Sequence, residues 1–494
     1  RYYHCFADQK NSADYAYAFG VNEFVLCASA YQPWIDKYPG STAGGKHYCL
    51  NRNNTYWEYS RPFWDYQARC SALMRKGVPV VDICVYLGQN PPVKLVTYRL
   101  PEIPEGYDFD VCTAEALVGR TMAVDGRLTL PTGISYSLLV IQRNNDMPLH
   151  VLRHIAGLVK GGVIVCGPRP DGSDSLKDKA ESEEYRALVD ELWGELTTVS
   201  QIRKVGKGKI YENIPLSEVL KYENIRPDIA IKSGNTAKDK VYFVHRRLSD
   251  ADVYFLNNHS DRAFHDTIRL RTDARQAEYW DAVTGQRYMI PVKASGEKGM
   301  LLNLTLAPRE SGFIVTSNNQ ATGLLPRIAD VQETITPIEG SWNVYFDPRW
   351  GGPGKVVFDE LIDWTVHADT GIRYYSGTAV YHKELNLAMP AQNERLLLRF
   401  PRLGSLARVW VNGKEVVTVW CSPWEADITS YVHEGKNNLK IEVVNSLMNR
   451  MIGDASLPES ERFTYAYPQI ATPTDKLVPS GIMEQLNLVY RQCQ

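Results

Sequence analysis

Residues 407–420 read Ala-Arg-Val-Trp-Val-Asn-Gly-Lys-Glu-Val-Val-Thr-Val-Trp, and the Asn412-Gly413 pair at the centre leaves the backbone little choice. Asn-Gly favours a two-residue turn in which both residues take positive φ, the turn whose twist matches paired antiparallel strands. Apolar residues alternate at Val409 and Val411, and return at Val416 and the valines beyond. Two half-buried strands around a tight turn make a β-hairpin, so this end of the chain must be built from sheets. Cys421-Ser-Pro-Trp-Glu-Ala-Asp-Ile-Thr429 continues the segment.

A chain of 494 residues exceeds one ordinary core, which predicts three or four domains. The net charge of −2 removes any electrostatic case for nucleic acid or an anionic membrane. No run of about 18 uncharged apolar residues occurs, so no transmembrane helix is expected. The chain starts at Arg1 without a methionine or signal peptide, which reads as the middle of a longer polypeptide. Nine cysteines, an odd number with no C-x-x-C pair, predict free thiols rather than a disulfide framework or zinc site. The 29 tyrosines and 11 tryptophans outnumber the 13 phenylalanines. Such rings either stack on sugars or fill sheets, and composition leaves those readings about even.

Gly20–Cys27 reads as a buried strand, followed by a polar, aromatic loop from Ala28 to about Asn54. A helix is predicted from about Tyr56 to Lys76, with Phe63, Tyr66, Cys70, Leu73 and Met74 at helical spacing and Gly77 ending it. Val78–Tyr86 is a second apolar strand. Strand, loop, helix and strand form a parallel βα unit, so residues 1–95 are expected to be the C-terminal part of a (β/α)₈ barrel. Residues 96–235 alternate strands and helices, as an open α/β layer domain does. Residues 236–325 carry five short strands separated by turns, predicting a small β-sandwich. A linker near 323–326 leads to a final β-sandwich over 335–494. The expected fold class is therefore multidomain α/β plus β.

The loop-helix segment gathers the candidate site. Tyr31, Trp34 and Trp57 offer rings for apolar sugar faces, and Gln32, His47 and Arg52 offer groups for vicinal hydroxyls. Glu58 is the carboxylate to test, although its place at a helix start also fits simple dipole electrostatics. Glycoside hydrolysis generally needs two carboxylates. Glu23, Asp65 and Asp82 make no evident pair with Glu58; Asp82, mid-strand, could face a barrel interior. At least one catalytic carboxylate is expected upstream of Arg1. Cys166 ends a strand before Gly167-Pro168, a nucleophile-elbow position, but no His-acid partnership is visible and an inert thiol is expected. In the final domain Trp342, Trp350, Trp364, Tyr374, Tyr375, Trp410, Trp420 and Trp424 are candidates for a sugar cleft, with core packing the commoner use of such rings.

Two resemblances sharpen this reading. The hairpin with its Pro423-Trp-Glu-Ala-Asp-Ile-Thr429 tail resembles the galactose-binding-like sugar-binding β-sandwich attached to many large glycoside hydrolases. The chain as a whole resembles glycoside hydrolase family 106, the α-L-rhamnosidases. Matching segments include Gly20-Val-Asn-Glu-Phe-Val25, Gln32-Pro-Trp34, Asn51-Arg-Asn-Asn-Thr-Tyr-Trp-Glu58, Trp280-Asp-Ala-Val-Thr-Gly285 and Asn449-Arg-Met-Ile-Gly-Asp454. The resemblance implies a barrel followed by accessory domains, and inverting removal of terminal α-L-rhamnosyl residues from plant-type polysaccharides or glycoconjugates. It also implies a glutamate acid and base, calcium near the sugar, no organic cofactor, and a periplasmic or secreted location. The carbohydrate substrate and the rest of the barrel are the expected partners; the fragment alone is expected to be inactive. Two histidines of the family pattern are replaced by Cys27 and Tyr31, which bears on substrate preference. The alternatives are a family 2-like β-glycosidase and a non-catalytic carbohydrate-binding assembly.

Overall fold

The computed structural model describes residues 4–27, 30–45, 50–88, 100–142, 147–170, 172, 182–195, 198–234, 241–319, 323–324, 327 and 332–492. An α/β body, a middle sandwich and a terminal sandwich are built around an opening helical segment.

The α/β body is a six-stranded sheet. Its parallel strands run in the order Phe109–Cys112, Ile83–Tyr86, Leu138–Ile141, Ile164–Cys166 and Gly208–Glu212, with Gln201–Val205 antiparallel at the far edge. Both faces are covered, so its central strands are apolar throughout. Cys84, Leu139 and Val165 pack with helices Leu149–Lys160 and Ser182–Trp193. Ile83, Val85 and Leu138 pack with helix Leu216–Tyr222 on the other face.

This topology corrects the reading of Val78–Tyr86 as one barrel strand. Val78–Pro79 pairs with the middle sandwich at Arg246 and Arg247, whereas Ile83–Tyr86 lies between two strands of the α/β sheet. A doubly buried apolar run suits any parallel sheet, and periodicity does not name its neighbours. Gly20–Cys27 also departs from expectation. No described strand pairs with it, and Val25 is 96% exposed. Extended backbone becomes a strand only when another strand receives its hydrogen bonds.

The opening segment contributes helices Phe6–Ala18 and Arg61–Met74, the second preceded by a single turn at Trp57–Tyr59. Phe6, Tyr17, Phe63 and Tyr66 fill a core shared with Phe255 and Phe313 of the middle sandwich and with Leu406, Trp420 and Val444 of the terminal one. Inside that core, the Lys10 ammonium lies 2.7 Å from Asp14 and donates to Ser311 at 2.8 Å. Tyr66 donates its hydroxyl to the other Asp14 oxygen. The segment is thus a wedge cemented by a buried ion pair.

The middle sandwich packs a four-stranded sheet on a six-stranded one. Its junction with the α/β body is ionic. Arg271 reaches Asp82 at 2.7 Å and Asp228 at 3.2 Å. His245, wholly buried, places one ring nitrogen 2.9 Å from Asp228 and the other 3.0 Å from Asp252. Only the doubly protonated ring satisfies both carboxylates. Burial opposes that charge, but Asp228 and Asp252 outweigh it and raise the His245 pKa above its ordinary value. Asp82 therefore serves this junction instead of facing a barrel interior.

The terminal sandwich also pairs a four-stranded with a six-stranded sheet. Its hairpin joins Leu406–Val411 to Lys414–Val419, with φ of 52° at Asn412 and 78° at Gly413. Gly413→Ala is expected to cost about 1 kcal/mol, because a Cβ disfavours positive φ; chemical denaturation of the two proteins measures it. Trp342, Trp364 and Tyr375 are core residues at 1% exposure or less, and Trp420 is buried as well. These four are corrected from cleft candidates to packing. Trp350, Tyr374, Trp410 and Trp424 remain partly accessible.

Candidate functional site

The loop after Ala30 is folded by its own amides. The Gln32 side chain donates to the Ser41 carbonyl at 2.7 Å and accepts from the Ser41 N–H at 2.8 Å. Asn53 donates to the Lys37 carbonyl at 3.0 Å, and Arg52 donates to the Gln32 carbonyl at 3.2 Å. Gly40, at φ 73°, lies so close that a Cβ would come within 2.5 Å of the Gln32 amide oxygen. Gln32 is buried and Arg52 exposed, so Gln32 shapes the loop while the Arg52 guanidinium faces outward.

The folded loop then docks on the terminal sandwich. Pro39–Ser41 pairs in parallel with Tyr465–Tyr467, and Thr42 donates its N–H to Tyr467 and its hydroxyl to Pro468. Trp34 meets Tyr465 edge to face at 5.0 Å between ring centroids. The Lys37 ammonium sits 4.1 Å from the Tyr465 centroid and 5.5 Å from that of Trp34. Tyr38 packs on Trp350 at 5.5 Å. Beneath, Asp454 is tied to Arg450 at 2.9 Å and accepts from Thr464, which holds the 463–467 strip in place. Tyr31 stands at the edge with 83% of its surface exposed. Rings edged by a cation and polar groups suit a saccharide, whose apolar faces stack while its hydroxyls bond outward.

Trp57 and Glu58 lie on a different part of the same junction. The Glu58 carbonyl accepts from Arg408 at 3.0 Å, and its side chain is exposed. The neighbouring Tyr59 hydroxyl contacts Thr378 and Glu442 at 3.3 Å each, under the Arg408 guanidinium. The described contacts of Trp34 and Arg52 run elsewhere, so the structure does not join Glu58 to them. His47 lies outside the described residues, as do Cys49 and Cys493. Glu23 is an exposed partner of Arg75 at 3.5 Å, and Asp65 pairs with Arg61 at 2.8 Å.

No group of three or more His, Cys, Asp or Glu able to hold a metal ion occurs among the described residues. Every described cysteine is a free thiol. Burial pushes the Cys166 thiol up to about 11, which removes the thiolate a nucleophile would need. Sequence reading missed Lys37, Tyr38 and Tyr465. The contacts that join this loop to the terminal sandwich are made between residues hundreds of positions apart, and no local pattern marks them.

Residues 1–293 match the family model for α-L-rhamnosidase, glycoside hydrolase family 106, and residues 329–490 match the sugar binding domain of glycosyl hydrolases family 2. The structure of a rhamnosidase from Novosphingobium sp. PP1Y superimposes with a TM-score of 0.89 at 29% identity, over 99% of this chain and 46% of that one. A curated protein of Formosa agariphila, provisionally named a beta-glucuronidase, is 23% identical over 92% of this chain and 57% of its own length. The chain thus spans about half the length of these relatives.

Proposed function

The chain belongs to glycoside hydrolase family 106, the α-L-rhamnosidases, and on that footing we propose that it works as the C-terminal half of an exo-acting enzyme removing terminal α-L-rhamnosyl residues, with inversion, from plant-type polysaccharides or glycoconjugates. The observation that carries this reading is the 0.89 superposition on a rhamnosidase along essentially the whole chain. In this reading the apolar run Gly20–Cys27 takes its place as a strand of a (β/α)₈ barrel whose other strands, and at least one catalytic carboxylate, lie upstream of Arg1. The lack of a strand partner among the described residues and the exposed side chains of Val25 and Leu26 support that arrangement, since both are features an edge needs covered. The terminal domain acts as a galactose-binding-like sandwich that buttresses the sugar loop, a role supported by the family 2 sugar-binding match and by the pairing at Tyr465–Tyr467. Tyr31, Trp34 and Arg52 face the sugar, and Gln32 positions them. A periplasmic or secreted location fits this substrate; no described helix is long and apolar enough to cross a membrane.

The test is hydrolysis of aryl α-L-rhamnoside by the longer polypeptide, compared with a panel of aryl β-glycosides. Rhamnoside turnover is expected; exclusive turnover of a β-glucuronide or β-galactoside would replace this reading with a family 2-like one. If Glu58 is the acid or base, Glu58→Gln lowers kcat by roughly a hundredfold or more, and a loss under about tenfold assigns it to binding or structure.

A further inference from the structure

We propose that the cleft between the α/β body and the middle sandwich binds an anionic saccharide, with Arg127 as the anchor for a uronate carboxylate. The saccharide class rests on the carbohydrate function proposed above; the anionic group rests on the cleft itself.

The cleft encloses about 970 Å³ and takes its walls from both bodies. Its inner charges are unequal in what they have left to offer. Asp82 is consumed by Arg271, and Asp252 by His245 and Arg247. Arg271 spends its guanidinium on Asp82, Asp228 and the Arg226 carbonyl. Arg127 differs. It donates Nε to the Ser135 hydroxyl at 2.8 Å, Nη1 to the Ser137 hydroxyl at 2.9 Å and Nη2 to the Ser135 carbonyl at 2.8 Å. Among the described residues no carboxylate bonds it directly; Asp82 acts on it through space and through the Ser137 hydroxyl that joins the two. A guanidinium carries five N–H groups, so one hydrogen remains on each terminal nitrogen. The two remaining hydrogens, one on Nη1 and one on Nη2, are the donors offered to the two oxygens of a carboxylate.

Other cationic groups reinforce the choice. Arg269 and Arg226 also line the cleft, and among the described residues they donate to the backbone carbonyls of Lys298 and Glu297. The acids not already paired, Asp250, Asp273 and Glu297, are exposed at the rim, whereas Arg127 and Arg269 are half-buried. An incoming carboxylate therefore meets a positive inner wall whose serines fix the fork before it arrives. Among the described residues no aromatic side chain lines the cleft. A neutral sugar would find no stacking platform there, so the charge must supply the recognition.

The experiment titrates the 494-residue chain with trigalacturonate, its fully methyl-esterified form and inorganic phosphate, by calorimetry at low and high salt. Trigalacturonate is expected to bind, with affinity falling as salt rises, and the ester to bind at least tenfold more weakly. Arg127→Met is expected to lose at least tenfold in affinity at an unchanged melting temperature, and Arg127→Lys to keep part of it. Should Arg127→Met melt early, Arg269→Met is read in its place, with a several-fold loss expected. Equal binding of acid and ester, no binding of the acid, or unchanged binding by a folded variant overturns the site. Phosphate binding as tightly as trigalacturonate overturns the saccharide assignment. Rhamnoside turnover is measured separately, so failure of the cleft and failure of the enzyme reading give different results.

Discussion

Lys10→Met is expected to destabilise the opening segment by about 3–5 kcal/mol. Lys10 is 1% exposed and Asp14 wholly buried, and the two lie where the opening helix meets both sandwiches. Removing the ammonium leaves a carboxylate in an apolar core with Tyr66 as its remaining hydrogen-bond donor. Water cannot reach it, so the desolvation cost is no longer offset. The double variant Lys10→Met/Asp14→Leu removes both charges and is expected to recover most of the loss, because a buried ion pair is often matched by apolar residues of similar volume. Denaturant unfolding of the three proteins checks this, with hydrogen exchange at Phe6–Ala18 reporting whether the helix is what loosens. Equal loss in the single and double variants would show that shape, not charge, holds the wedge.

His245→Ala is the second large effect, expected at about 3 kcal/mol, since it leaves Asp228 and Asp252 without the cation between them. The pH dependence follows from the direction of the shifts. The His245 pKa is raised on folding, so its contribution is complete below the unfolded value of about 6.5 and is lost as pH climbs through the folded value. Asp252 moves the other way. Burial acts against its charge, but His245, Thr272 and Arg247 hold its carboxyl well below the usual range. Its contribution is complete above about 3.9 and is lost as pH falls through the depressed value. Wild-type protein should therefore lose stability on the alkaline side faster than His245→Ala does, in thermal melts from about pH 6 to about pH 9. Parallel alkaline limbs would remove the imidazolium from the junction.

What could be read from sequence tracks the range of the interaction. The hairpin at Asn412-Gly413 was legible because two adjacent residues set both turn dihedrals. Helix Leu149–Lys160 and five strands between Val241 and Ser317 were legible because one spacing rule governs each, whereas Gln276–Trp280, Arg287–Ile290 and Val292–Ala294 were not read. The destiny of Val78–Tyr86 was not, because strand identity depends on neighbours that periodicity does not encode. Helix Phe6–Ala18 was missed for a related reason. Its buried side includes Gln9, Lys10 and Asp14, so polar residues sit where an apolar stripe is normally sought. At the candidate site, aromatic and amide residues could be picked out by type, but type does not separate Gln32, spent on its own loop, from Tyr31, which is free at the edge. Tyr465 could not be foreseen at all.

The pairing of Pro39–Ser41 with Tyr465–Tyr467 also sets an order of events during synthesis. Thr42 leaves the ribosome 426 residues ahead of Pro468, which receives its hydroxyl. Domains generally form as they emerge, from the N-terminus onward. The loop that carries Pro39–Ser41 must therefore wait, unanchored, until residues 465–468 have been translated. A premature stop near residue 460 would leave the α/β body and middle sandwich able to form while denying the loop its mooring.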